Sequence, residues 1–386
     1  MKILAIETSC DETAVTVLEA HGDLTNASFT VLGNALYSQA SKHAEYGGVY
    51  PSLAKREHQK NLPALTTLAL KEAGLLVEET QTLSPDSLLK IRDEEFKHSI
   101  KEFLATIQKP AIDLIAVTNG PGLEPALWTG INFAEAIGAE WNIPTVGIDH
   151  MEGHIVSALL ERSENTGYKI LNTDFPLLAL LISGGHTEFV LMKEWFVYEL
   201  VGKTKDDAVG EAFDKVARLL GLPYPGGPHI QTYAQKHRDT GVADTISLPR
   251  PMIQDDTCDF SFSGLKTSVL YKVKENASLS EDDKEAFARA FEDSARDVIV
   301  TKTKRALEKT NAQTFTVGGG VSANKEIRRA LEELLDEHFP QTQIAFPHHS
   351  LTGDNAVMIG VVAYLRHLHN PQLPDSIHAH GSQSLV

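Results

Sequence analysis

Apolar residues fall in two rhythms along this chain. Short apolar runs bounded by small or polar residues predict strands, and longer stretches with a period near 3.6 predict helices. Strands are predicted at 2–7 and 13–19, around the polar turn Thr8-Ser9-Cys10-Asp11-Glu12. The same design returns at 177–183 and 187–193, around Gly184-Gly185-His186. Each is an apolar run, a tight turn and a second strand opening on Thr. Two such hairpins in halves of similar size point to a duplicated domain.

The rest alternates. A strand at 112–118 passes through Asn119-Gly120-Pro121-Gly122 into a helix at 124–141. A strand at 144–148 leads to a helix from about 150. A helix at 207–221 stops at Gly221-Leu222-Pro223. A long helical pattern covers 281–309. A strand at 313–318 runs through Gly318-Gly319-Gly320 into a helix at 322–337, and a strand at 342–346 precedes a helix at 354–367. This alternation predicts α/β layering. Residues 76–110 are polar with a helical pattern over 88–106, and they read as a surface insertion.

Composition narrows the class. A chain of 386 residues exceeds one ordinary core and predicts two domains. With 42% hydrophobic and 23% charged residues it reads as soluble and globular. No apolar run nears the ~20 residues that span a bilayer. The start MKILAIETSC resembles neither a signal peptide nor a presequence, so a chain beginning at or near Met1 and a cytoplasmic location are expected. Two cysteines, Cys10 and Cys258, make no disulfide framework. The net charge of −17 argues against a broad grip on nucleic acid. If the substrate is RNA, local basic patches or a partner must supply the attraction.

Two features carry chemistry. Glycine-rich turns at Ser183-Gly184-Gly185, Pro225-Gly226-Gly227-Pro228 and Gly318-Gly319-Gly320 sit where backbone N–H groups can meet phosphate. None fits the Walker or dinucleotide fingerprint. Hairpin turns opening each half, with a late glycine loop before a helix, match the actin–sugar kinase–Hsp70 arrangement. The second feature is Asp149-His150-Met151-Glu152-Gly153-His154. His150 and His154 are four apart and share one helix face, so they can bind one metal. Glu152 is two residues after His150, about 200° round the helix, so the zincin arrangement of a metalloprotease is poorly supported. Two histidines alone hold a metal weakly, so a carboxylate from elsewhere is needed. Spacing does not choose it.

Read together, the blocks resemble the TsaD family of tRNA threonylcarbamoyladenosine transferases, once called O-sialoglycoprotein endopeptidases. They are IETSCDET at 6–13, KHAEYGGVYPSLAKREH at 42–58, NGPGL at 119–123, HMEGH at 150–154 and LLISGGHTEFV at 180–190. DDAVGEAFDKVARLLGLPYPGGP at 206–228, FSFSGLKTSV at 260–269, GGGVSAN at 318–324 and TGDNAVMIG at 352–360 complete the set. The YGGVYPSLAKREH block is similar to the bacterial and organellar branch.

This resemblance implies an actin/sugar kinase/Hsp70-like (ASKHA) α/β fold with two duplicated RNase H-like subdomains and a cleft between them. The expected division is 1–148 and 149–386, the second carrying the metal and nucleotide sites, with the last helix packed back on the N-terminal half. It implies transfer of threonylcarbamoyl from threonylcarbamoyl-AMP to the exocyclic amine of the adenosine beside the anticodon, in tRNAs reading codons that begin with A. His150, His154 and Asp354 would hold one divalent metal, iron or zinc. Leu181, Ile182, Ser183, Gly184 and Gly185 would line the substrate. Asp214, Gly227 and Asn324 would contact its nucleotide or threonylcarbamoyl part, and ATP or ADP binding is implied too. Asp11 would assist proton removal or positioning, or simply stabilise its turn. Cys10 has no activating partner and reads as a small buried residue. Implied partners are tRNA, a smaller TsaB-like paralogue, a TsaE-like ATPase and an upstream threonylcarbamoyl-AMP synthase, with homodimers or heterodimers through the N-terminal half.

The chain departs from the family pattern in places. Thr352-Gly353-Asp354-Asn355 stands where Cys-Thr-Asp-Asn is usual, Glu124 and Trp128 follow GPGL, and 76–110 lies outside the common pattern. Two competing readings remain: a metalloprotease, and a non-catalytic nucleotide-binding scaffold of the same fold.

Overall fold

The computed structural model describes residues 1–84, 88, 91–163, 167–243, 246–275, 278–372, 376–382 and 384–385. They form two compact units, Met1–Asn172 with Gly353–Leu385, and Thr173–Thr352.

In the first unit, β1 (Lys2–Glu7), β2 (Glu12–His21) and β3 (Ser28–Ser38) make an antiparallel meander. Helices α1 (Ala40–Ala44), α2 (Pro51–Glu72) and α3 (Glu94–Thr106) follow. Strand β4 (Leu114–Gly120) returns parallel to β1, helix α4 (Glu124–Trp141) crosses over, and β5 (Thr145–Asp149) adds parallel to β4. Helix α5 (His150–Ser157) starts directly at the end of β5. Short strands β6 (Leu160–Arg162) and β7 (Gly167–Ile170) extend the far edge, giving the order β5-β4-β1-β2-β3-β7-β6.

The second unit repeats the plan. Strands β8 (Leu177–Ile182), β9 (Thr187–Glu194) and β10 (Val197–Lys203) form the meander. Helices α6 (Val209–Leu219), α7 (Gly226–Asp239), α8 (Ser263–Lys274) and α9 (Glu281–Thr310) follow. Strand β11 (Thr314–Gly318) returns parallel to β8, α10 (Lys325–His338) crosses over, and β12 (Gln343–Ala345) is parallel to β11. The order β10-β9-β8-β11-β12 matches β3-β2-β1-β4-β5 strand for strand. The duplication suggested by two hairpins is thus a repeat of topology.

Strands β1, β4 and β8 are buried on both faces, which is why they read as continuous apolar runs. Leu4, Ile6, Val15 and Val17 pack with Leu62, Ala69, Phe133 and Ile137 in one core. Leu178, Leu180, Phe189, Phe213 and Phe291 anchor the other. The C-terminal helix Ala356–His369 packs on β1, β2 and α5 of the first sheet. That helix thus packs back on the first half as expected, whereas a division at 148/149 would part α5 from the sheet it rests on, since the first unit runs on to Asn172.

The surface insertion expected at 76–110 is part of the core instead. Phe96, Ile100, Phe103 and Leu104 of α3 are buried, and the Phe103 ring lies 5.7 Å from Phe133 and 6.0 Å from Trp141. Its polar look reflects the outward face of an amphipathic helix. The helix expected from 88 begins at Glu94, and residues 85–87 and 89–90 lie outside the described residues. Strands β3, β6, β7 and β10 and helices α1, α2, α7 and α8 carry local patterns too weak to predict them. Among the described residues, no helix is long and apolar enough to cross a membrane.

Candidate metal centre

Local chemistry sets α5 first. The Asp149 side chain caps it, accepting from Met151 N at 2.8 Å and Glu152 N at 3.2 Å. Gly153 then lets the C-terminal helix come close: a Cβ there would lie 2.8 Å from Met358 Cγ. Asn355 caps that helix, accepting from Met358 N at 3.0 Å and donating to the Gly353 carbonyl at 2.8 Å. Asp354 is thereby fixed one residue before the cap and turned toward α5. Gly353 itself is open: a Cβ there would meet nothing within 4 Å. A side chain at 353 would therefore have room.

The three residues converge. Asp354 Oδ1 lies 3.3 Å from His150 Nε2 and 3.3 Å from His154 Nε2. One ligand atom from each falls within 4.8 Å of the others. His150 and His154 are buried, with ring centroids 4.6 Å apart. Both ring nitrogens of His154 are buried without a hydrogen-bond partner. The 3.3 Å approach to Asp354 is an electrostatic contact whose geometry makes no hydrogen bond. An orphaned imidazole nitrogen facing a carboxylate and a second imidazole is what a divalent cation would satisfy. The residues fit a metal.

Glu7, absent from the candidates drawn from the sequence, adds a second carboxylate to this cluster. It is wholly buried. Its Oε2 lies 3.1 Å from His150 Nδ1 and accepts from Thr118 Oγ1 at 2.5 Å, and its Oε1 accepts from Ser9 N at 2.5 Å. Ser9 Oγ is 3.3 Å from the same Nδ1. A carboxylate on Nδ1 leaves Nε2 directed at Asp354, the arrangement that orients metal-ligating histidines. A glutamate inside an apolar strand, IAIE before a polar turn, was the available signal.

Electrostatics are dominated by acids. Burial raises the Asp354 carboxyl, but His150 and His154 outweigh it and hold the group well below the usual range. Burial lowers both histidines. At His154 burial prevails, while at His150 the charges of Asp354 and Glu7 push the pKa well above its ordinary value. Glu12 is pushed up to about 9 by burial, then by Asp354 and Asp11. A cation would relieve this crowding of negative charge. Burial and the same carboxylates raise the Cys10 thiol, so it is no activated nucleophile.

The remaining candidates are placed as follows. Asp11 is buried in the β1–β2 turn, and its carbonyl accepts from Gln39 N at 2.9 Å. Glu152 is buried and ion-paired with Arg366, with Nε–Oε2 at 3.0 Å, so it serves structure. In the second unit, Leu181 and Ile182 are core residues of β8. Ser183 Oγ accepts from Gly185 N at 3.3 Å and His186 N at 3.0 Å, curling the turn. Gly184, Gly185 and Gly227 are open, since a Cβ on any of them would meet nothing within 4 Å. Gly319 is not: its φ is +88°, and a Cβ would lie 2.5 Å from the Ile182 carbonyl oxygen. Asp214 Oδ1 accepts from Gly226 N at 2.6 Å, tying α6 to the start of α7, while Lys215 pairs with Asp207 and Glu211. Asn324 caps α10 through Ile327 N at 2.9 Å and donates to Glu292 at 2.7 Å.

The family model described as TsaD, tRNA N6-adenosine threonylcarbamoyltransferase, matches residues 30–83 and 92–361. The chain belongs to the TsaD family. A tRNA N6-adenosine threonylcarbamoyltransferase of Halalkalibacterium halodurans is 39% identical over 365 residues, 94% of this chain and 90% of that protein. The family match continues through 76–83 and 92–110, so what departs from the pattern there shrinks to 84–91. Among solved structures, T.kodakarensis HypF is 14% identical with a TM-score of 0.50, covering 96% of this chain. This chain spans about half of that one, 48%, and the likeness concerns the fold alone. The activator of the 2-hydroxyisocaproyl-CoA dehydratase from Clostridium difficile, with bound ADPNP, is 11% identical with a TM-score of 0.46, over 97% of this chain and 100% of that one. The chain has the actin–sugar kinase–Hsp70 fold, its two sheets repeating one RNase H-like strand order.

Proposed function

We propose that this enzyme transfers the threonylcarbamoyl group from threonylcarbamoyl-AMP to the exocyclic amine of the adenosine beside the anticodon, in tRNAs reading A-starting codons. The observation that carries the reading is the convergence of His150, His154 and Asp354 on one point in a chain that belongs to this family. Glu152 speaks against a metalloprotease, because its carboxylate is committed to Arg366.

The donor is a mixed anhydride. The adenosine amine forms a new N–C bond at the carbamoyl carbon, the C–O bond to the phosphate breaks, and AMP leaves with the electron pair. The amine gives up one proton, and we assign its acceptor to Asp11. Because AMP is already a good leaving group, catalysis rests on orientation and on stabilising the carbamoyl oxygen. A divalent metal, iron or zinc, held by His150, His154 and Asp354, supplies Lewis-acid polarisation when bound. Glu7 holds the imidazole of His150 so that Nε2 is the ligating atom. The open glycines Gly184, Gly185 and Gly227 leave room for backbone approach to the adenylate. Ser183, Asp214 and Asn324, with the strand end at Leu181 and Ile182, shape that binding surface.

We place the enzyme in the cytoplasm, working with tRNA, a smaller TsaB-like paralogue, a TsaE-like ATPase and an upstream threonylcarbamoyl-AMP synthase. The test supplies tRNA, threonine, bicarbonate, ATP and these partners, then analyses digested tRNA by mass spectrometry. The modified nucleoside is expected, and His150→Ala should abolish it while partner binding persists. No product from folded, metal-loaded protein with the full partner set would refute the reading.

A further inference from the structure

The net charge of −17 leaves open how this chain holds an RNA. One segment stands apart. Residues 42–60 hold four cations, Lys42, Lys55, Arg56 and Lys60, against two acids, Glu45 and Glu57. In their midst Tyr46 and Tyr50 stack on each other in the open. They are 63% and 51% exposed, with ring centroids 5.5 Å apart and planes inclined by 15°. Large aromatic side chains are normally buried, so a stacked and solvated pair is an unusual surface.

The pair is built into the fold. His43 is fully buried, and its Nδ1 accepts from Tyr50 N at 3.2 Å. Its carbonyl accepts from Tyr46 N at 3.0 Å and Gly48 N at 3.3 Å. Gly47 at φ +69° and Gly48 at φ +155° turn the chain between the rings. Gln39 links His43 to His58, with contacts of 3.1 and 3.4 Å, and His58 Nε2 lies 3.0 Å from the Cys10 carbonyl. Gln39 N also donates to the Asp11 carbonyl at 2.9 Å. The tyrosine pair is therefore wired through buried polar groups to the turn that carries Asp11, whose neighbours Cys10 and Glu12 feel the charge of Asp354. Along α2, Ser52, Arg56 and Lys60 form one exposed stripe at four-residue spacing, and neither Arg56 nor Lys60 makes an ion pair among the described residues.

We propose that Tyr46 and Tyr50 are a stacking platform for an unpaired base of an RNA loop, with Arg56 and Lys60 meeting the adjoining phosphates. This deepens the transferase reading and rests on it for the claim that the loop is the anticodon loop. The chemistry is general: unpaired bases stack on exposed aromatics, while cations beside them track the backbone. The platform would seat the loop at the same end of the sheet as the metal trio.

The test uses the full chain and a synthetic anticodon stem-loop RNA with 2-aminopurine in the loop, at fixed salt. A control RNA has the same stem closed by a short tetraloop. Wild-type protein should bind the loop RNA more tightly than the control and quench the fluorophore. Tyr46→Ala/Tyr50→Ala should weaken loop binding at least fivefold and remove the quench. Tyr46→Phe/Tyr50→Phe should stay within about twofold of wild type, which separates stacking from a folding defect. Arg56→Ala/Lys60→Ala should lower the salt slope for both RNAs. In the complete reaction the double alanine variant should raise KM for tRNA and spare kcat. Equal loop and control binding by wild type, or alanine variants that bind like wild type, overturn the platform. So does a change of oligomeric state in the alanine variant with RNA affinity unchanged, because the tyrosines then serve a protein contact. If wild type forms no modified nucleoside, the transferase reading fails, and the fluorescence arm still decides the platform.

Discussion

Replacing Glu7 by glutamine exchanges one carboxylate oxygen for an NH2 group in a wholly buried side chain and should cripple metal binding. The glutamine oxygen can keep the bond from Ser9 N, now 2.5 Å from Oε1. Its NH2 group must then occupy the place of Oε2, 3.1 Å from His150 Nδ1 and 2.5 Å from Thr118 Oγ1. An NH2 there can only donate, so His150 must present a bare Nδ1 and carry its proton on Nε2. That is the nitrogen 3.3 Å from Asp354, and a protonated Nε2 cannot ligate a metal. Loss of such an outer partner typically costs 10–100-fold in metal affinity. That corresponds to about 1.4–2.8 kcal/mol. The assay is calorimetric titration of metal-free protein with Zn2+ in a chelator-buffered series, alongside urea unfolding of the same samples. The expected result is weaker binding with metal-free stability changed by less than the binding loss. Affinity within twofold of wild type would falsify the tautomer argument, since the hydrogen-bond geometry permits no neutral outcome.

Gly153→Ala should destabilise the first unit by about 1–3 kcal/mol, because the new Cβ would press on Met358 Cγ at 2.8 Å; urea unfolding reads this, and unchanged stability would show that the two helices separate freely. His58 is buried and its pKa is lowered to about 4 by desolvation, against about 6.5 when unfolded. The unfolded chain therefore binds more protons between these values, so stability falls as pH drops from about 6.5 to 4, by about 3 kcal/mol from this group alone. His58→Gln should show a flatter profile over that window, and parallel curves for the two proteins would refute the assignment. Chelator treatment should lower the unfolding midpoint of metal-loaded wild type and leave His154→Ala unaffected, because a ligand bound only to the folded state stabilises it by mass action.

The doubled α/β plan was legible because strands buried on both faces must be apolar throughout, and LLALLIS and KILAIE have no other reading beside tight turns. The His150–His154 pair was legible because helix periodicity is a local property. Glu152 could be set aside on the same ground, and its bond to Arg366 agrees. Local pattern could not show α3 as core, since an amphipathic helix of mixed polarity looks the same whether its apolar stripe meets a sheet or solvent. It could not separate Gly226, pressed against Ala217, from Gly227, which is open.

By itself, then, the sequence determined the order of strands and helices, the helix-borne histidine pair and, through nine ordered blocks, the family. The tertiary structure decided what meets across the chain. Asp354 lies 200 residues after His154, and only the packing of Gly153 against Met358 brings its carboxylate to the two imidazoles. Glu7 reaches His150 across 143 residues because β1 runs beside β4, and β4 beside the β5 strand from which α5 begins. Ligand sets of this kind depend on sheet order and helix contact, and no local periodicity encodes distances between residues so far apart in sequence.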